Sequence, residues 1–127
     1  MNQLILIACG GALGATSRYG VVRCFTRLLG PDFPYGTMVV NILGSFLMGL
    51  IVGIGAHYFS FGEHVKAAVI IGFLGSFTTF STFSLNLVNL AERGDLTGVV
   101  GYFLGSVILS VLALMGGIWI TRIGGGA

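Results

Sequence analysis

Four long apolar stretches, near residues 4 to 28, 36 to 59, 65 to 90 and 97 to 121, divide the chain, and short polar connections separate them. Each is close to the roughly 20 residues that an α-helix needs to cross a bilayer. The connections are turn-forming: Gly30-Pro31-Asp32-Phe33-Pro34, Ser60-Phe61-Gly62-Glu63 and Glu92-Arg93-Gly94-Asp95. The pattern predicts one all-α transmembrane domain spanning 1–127, with no room for a soluble domain. The first stretch lacks a charged leader and is too long for a signal-peptide core, so it is expected to be retained.

The third stretch breaks the pattern. Ser76-Phe77-Thr78-Thr79-Phe80-Ser81-Thr82-Phe83-Ser84 places six hydroxyls and three phenylalanines in nine positions, just after Gly72 and Gly75. Clustered hydroxyls compete for backbone hydrogen bonds, so a break near 75–79 is expected, the alternative being a continuous helix with back-bonded Ser and Thr. In hydrocarbon these groups must face protein or a water-filled cavity.

Composition sharpens the membrane reading. Only 8% of residues are charged, against roughly 25% in a soluble domain. Twenty-two glycines suit close helix approach, with Gly10 and Gly14, Gly49 and Gly53, and Gly101 and Gly105 as candidate contact pairs. Cys9 and Cys24, on one predicted helix, cannot pair with each other, and no metal-ligand spacing occurs. No basic run exists to track nucleic acid.

Charge is nearly balanced across the predicted membrane. Arg23, Arg27 and Arg93 fall at one end, and Lys66, Arg122 and the terminal amine at the other. The positive-inside rule has little to act on, so two opposed copies could form an antiparallel pair.

All four carboxylates, Asp32, Glu63, Glu92 and Asp95, lie in or beside connections, and His57 and His64 lie towards segment ends. Proton-coupled carriers usually hold a titratable group at depth, so passive conduction is the simpler expectation. Arg18, mid-segment, is either an anion-attracting vestibule charge or a hydrogen-bond hub at a broken helix. Asn41 is either an interhelical hydrogen-bond partner or an ion-facing donor, and Thr37 lies one turn before it. Tyr102, Ser106 and Ser110 recur at i, i+4 and i+8, forming either a neutral donor rail for a small anion or a packing seam. The ring edges of Phe77, Phe80 and Phe83 suit an anion and their faces a cation, with plain packing the third option.

Gly11-Ala-Leu-Gly14-Ala15-Thr-Ser-Arg18-Tyr19, Gly36-Thr37 through Asn41 to Gly44, and Gly72 through Ser84 together resemble the Fluc/CrcB fluoride channels of bacteria, over essentially the whole chain. The resemblance implies an antiparallel dual-topology homodimer in the cytoplasmic membrane, with two pores passing fluoride passively to relieve its toxicity. It implies that Phe80 and Phe83 form an aromatic box, that Asn41 is its polar neighbour, and that Thr37, Ser81, Thr82, Tyr102, Ser106 and Ser110 form a hydroxyl track. It further implies that backbone carbonyls at Gly75 and Thr78 of both subunits hold a structural sodium ion. Asn86 departs from the pattern, which often carries Glu there. Two other classes compete: a four-helix drug exporter, which needs a carboxylate that the first segment lacks, and a non-transporting membrane scaffold.

Overall fold

The computed structural model describes residues 2–58 and 60–124, the His57 side chain excepted. It is all-helical among these residues: α1 (Asn2–Leu29), α2 (Tyr35–His57), α3 (Glu63–Val65), a π-helical stretch (Lys66–Leu74), α4 (Gly75–Phe77), α5 (Ser81–Glu92) and α6 (Leu96–Gly124). Four helical runs are long and apolar enough to cross a membrane: Asn2–Leu29, Tyr35–Ala56, Glu63–Glu92 and Leu96–Gly124. They match the four apolar stretches, most with ends a few residues further out. The expected end of the second at 59, and the expected interfacial side chain of His57, lie outside the described residues.

The turns form for local reasons. Gly30 and Gly94 carry φ of 89° and 78°, a left-handed conformation that glycine adopts without steric cost; Gly30 directly follows α1, and Gly94 follows α5 after Arg93. At the start of α6, Asp95 accepts the Gly98 amide on Oδ1 at 2.9 Å, capping the helix. Arg93 donates to the Asp32 carbonyl, tying the third connection to the first.

Packing follows the glycines. α2 runs along α6, and α1 along the π-helical stretch and α4. A Cβ at Gly10 or Gly14 would collide with the backbone of Ala68 or Phe73; one at Gly49 or Gly53 would strike Leu114 or Thr121. Lipid tails give helices no hydrophobic reason to associate, so this close backbone contact is what holds them together. Gly101 is different: a Cβ there meets nothing within 4 Å. The third expected contact pair is therefore not a seam in this chain, because Gly105 touches only the flexible end of Met38.

Buried side chains are few. Phe83, Leu90 and Tyr102 form a small core with Phe33, Met38, Leu87 and Val99 around it, while most large apolar residues face outward as a lipid-facing surface requires. The carboxylates sit at helix ends: Glu63 opens α3, Glu92 closes α5, and Asp32 and Asp95 lie in connections.

Candidate functional site

Helical hydrogen bonding stops after Phe77 and resumes at Ser81. Thr78 is extended, with φ −91° and ψ 158°, and both its amide and its hydroxyl bond the Leu74 carbonyl, at 3.1 and 3.0 Å. In a continuous helix the Thr79 amide would reach the Gly75 carbonyl, and the Thr82 amide the Thr78 carbonyl. Neither does. The Thr79 amide goes to Asn41 Oδ1 at 2.8 Å, and the Thr82 amide to Thr79 Oγ1 at 3.2 Å. The carbonyls of Gly75 and Thr78 are thereby released from their helical partners.

Two side chains from other helices hold this region, and Thr79 within it holds the start of α5. Asn41 of α2 donates Nδ2 to the Thr79 carbonyl at 3.0 Å, completing a two-way exchange. Arg18 of α1 donates Nε to the Ser76 carbonyl at 3.1 Å. Thr79 Oγ1 lies 3.4 Å from Ser81 Oγ while accepting from Thr82. Asn41 thus makes the interhelical contact, and by its inventory retains one amide proton for another partner.

Beside this segment lies a cavity of about 410 Å³. Asn41 and Ser45 line it from α2, Thr78, Thr79 and Phe80 from the non-helical segment, Phe83 from α5, and Ser106 and Ser110 from α6. No ionisable side chain lines it. The Phe80 and Phe83 rings are 5.6 Å apart at 45°; Phe80 is 77% exposed and Phe83 only 5%.

The two serines set this cavity apart. Ser106 Oγ and Ser110 Oγ are buried, and no hydrogen-bond partner reaches either. Hydroxyls on membrane helices commonly bond the carbonyl four residues back, as those of Thr16, Thr26, Thr78 and Ser84 do here. An unsatisfied buried hydroxyl costs about 1–3 kcal/mol, so these two, one turn apart on one helix face, are the candidate hydrogen-bond donors of the cavity.

The expected site residues thus fall into groups. Asn41, Phe80, Phe83, Ser106 and Ser110 share the cavity, and Gly75 and Thr78 border it. Thr37 and Tyr102, both buried, lie outside it and meet at Asn86, whose Nδ2 is 3.2 Å from each of their hydroxyl oxygens. Ser81 and Thr82 open α5, where Thr79 Oγ1 accepts the Thr82 amide and lies near Ser81 Oγ, and Arg18 bonds the Ser76 carbonyl in α4, just before the non-helical segment. Ser45 was not anticipated, although its place one turn after Asn41 was the available signal. Thr79 and Asn86 were visible as residues, but their partners were not.

Comparison with known proteins places relatives along nearly the whole chain. A family model described as CrcB-like protein, Camphor Resistance (CrcB), matches residues 5–118. A protein of Nitrobacter hamburgensis named fluoride-specific ion channel FluC 1 is 46% identical over 120 residues, covering 94% of this chain and 95% of its own. Proteins named fluoride-specific ion channel FluC from Chelativorans sp. and Paracoccus denitrificans are 45% and 46% identical, over 96% and 95% of this chain and 98% and 95% of theirs. With the model match and these relatives each spanning nearly the full length, the chain belongs to the CrcB family.

Proposed function

We propose that this chain is a fluoride-selective ion channel that lets fluoride leave the bacterial cytoplasm passively, conferring fluoride resistance. The observation that carries this reading is the pair of partnerless serine hydroxyls, Ser106 and Ser110, facing Phe80 and Phe83 across a cavity without ionisable groups. Fluoride is small and tightly hydrated, so a path for it must offer replacement donors. Neutral donors do so without trapping the ion, as conduction requires. Ser106, Ser110 and the second Asn41 proton supply them, and the positive edges of the phenyl rings add a weaker attraction.

A single chain encloses this path incompletely, since Phe80 is mostly exposed. An antiparallel second copy would cover that ring and repeat the path, giving two pores per dimer. The near balance of basic residues at the two ends favours such dual topology.

The released carbonyls of Gly75 and Thr78 fit a sodium ion shared across the two-fold axis. They are uncharged oxygen donors, and no cluster of His, Cys, Asp or Glu competes for a metal among the described residues. When bound, such an ion would supply positive potential near both pores and satisfy carbonyls at membrane depth. The chain's own part is to keep those carbonyls free, which Asn41 and Thr79 do by taking the amides.

The test is efflux from proteoliposomes loaded with potassium fluoride, started by valinomycin and read by a fluoride electrode, with chloride in parallel. Rapid fluoride loss without chloride loss is expected. No loss of either ion from protein shown to be dimeric would overturn the channel in favour of a membrane scaffold.

A further inference from the structure

Contact partners rise together along α2 and α6: a Cβ at Gly105 would meet Met38, one at Gly49 would meet Leu114, and one at Gly53 would meet Thr121. The two helices therefore run parallel. Ser45 stands four residues before Gly49, and Ser110 four residues before Leu114, so the two serines lie level, one turn short of that contact. At the contact the helices touch backbone to backbone, and a Cβ at Gly117 would likewise run into the Phe46 carbonyl. The gap between α2 and α6 thus closes just beyond Ser45 and Ser110.

Both serines line the cavity, with Asn41 and Ser106 one turn earlier on the same two walls. Ser110 Oγ has no hydrogen-bond partner, so the two level hydroxyls do not bond each other. Nor does the Ser45 hydroxyl bond the Asn41 carbonyl four residues back, the usual outlet for a serine on a membrane helix. Each keeps its proton for an acceptor between them.

The depth of Ser45 is set from both sides. Before it, Asn41 exchanges two hydrogen bonds with Thr79, and Gly44 lies so close to the Thr78 methyl that a Cβ there would collide with it. After it, Gly49 rests on the Leu114 backbone. A hydroxyl held in this way can face its counterpart on α6 without further reorganisation.

We infer that Ser45 is an anion-contacting residue: with Ser110 it forms a paired-hydroxyl seat at the end of the cavity where α2 and α6 meet, and fluoride there accepts from both helices at once. The inference rests on the reading of the cavity as a fluoride path. It gives the α2 wall a second donor below Asn41, so that the neutral donors of the path come in two facing rows.

Ser45→Ala removes the hydroxyl and leaves a better helix former in its place. In the proteoliposome assay, with leak through protein-free vesicles subtracted, fluoride flux should fall at least about threefold. Ser45→Cys, close to serine in size but a weak donor, should lose flux as Ser45→Ala does, so that the loss follows donor strength and not volume. In a Ser110→Ala background, Ser45→Ala should cost less than about 1.5-fold further, since the seat is already broken.

Flux through dimeric Ser45→Ala equal to that of the unaltered protein would overturn the inference, as a serine that holds water or fills space would give. So would an undiminished Ser45→Ala loss in the Ser110→Ala background, which would mean that the two hydroxyls act separately. Should Ser45→Ala fail to fold, unchanged flux in Ser45→Cys overturns it equally. Absence of fluoride flux through the unaltered protein would instead overturn the channel reading itself, and this inference with it.

Discussion

Asn41 and Thr79 exchange two hydrogen bonds: Nδ2 donates to the Thr79 carbonyl at 3.0 Å, and the Thr79 amide donates to Oδ1 at 2.8 Å. One side chain on α2 thus satisfies both backbone groups of a residue that has left the helix. At membrane depth water is not there to do so, and each such group left unpaired costs several kcal/mol. The same residue lines the cavity, so its support of the backbone and its contact with the path are inseparable.

Asn41→Asp separates them in part. The carboxylate still accepts from the Thr79 amide, but it loses the donation to the Thr79 carbonyl and sets two oxygens against each other. Stability should fall by roughly 2 kcal/mol, and fluoride flux at least about tenfold, because a like charge faces the anion. Unfolding in detergent and efflux measure the two separately. Unchanged flux would place Asn41 outside the path.

Ser106→Ala and Ser110→Ala should move stability and flux in opposite directions. Each removes a buried hydroxyl without a partner, so stability should hold or rise by about 1 kcal/mol. Flux should fall, since each removes a donor from the cavity wall. A matching loss of stability would reveal a hydrogen-bond partner and return the row to packing.

Much of the architecture was legible because a bilayer imposes strict demands on the chain. Apolar runs of spanning length, Gly30 and Gly94 at the turns, and carboxylates confined to helix ends are each readable one residue at a time. So were the close-contact glycine pairs, in kind if not in every case: Gly101 has the right spacing but faces open space, because spacing says nothing of which face another helix covers. The π-helical hydrogen bonding of Lys66–Leu74 was not legible, since nothing in that run of apolar residues distinguishes one helical ladder from another. Nor was the pairing of Asn41 with Thr79, 38 residues away, or of Asn86 with Thr37, 49 away, because such partners are chosen by the packing of helices and not by local sequence.

The two phenylalanines of the cavity should separate in the same manner. Phe83 is buried against Tyr102, at 5.1 Å between ring centroids, and Phe103, at 6.4 Å. Phe83→Ile should therefore cost about 1–2 kcal/mol of stability as well as flux, through lost ring contacts. Phe80→Ile should lower flux with little effect on the unfolding of the single chain, where its ring is mostly exposed. Full conduction in Phe80→Ile would reduce that ring to packing.

Gly49→Ala and Gly101→Ala form a matched pair on facing helices. A Cβ at Gly49 would run into the Leu114 backbone, which cannot rotate away as a side chain can, so α2 and α6 must part to admit it. That separation also moves Ser106 and Ser110 relative to Asn41, because α2 and α6 carry the two walls of the cavity. The variant should lose about 2–3 kcal/mol and most of its flux, an overpacking cost with a geometric consequence. At Gly101 the added methyl meets nothing within 4 Å, and alanine in place of a helical glycine contributes about 1 kcal/mol. Gly101→Ala should accordingly be as stable as the unaltered chain or more so, with full flux. A loss at Gly101 equal to that at Gly49, measured on the assembled protein, would mean that a second copy packs against that face of α6.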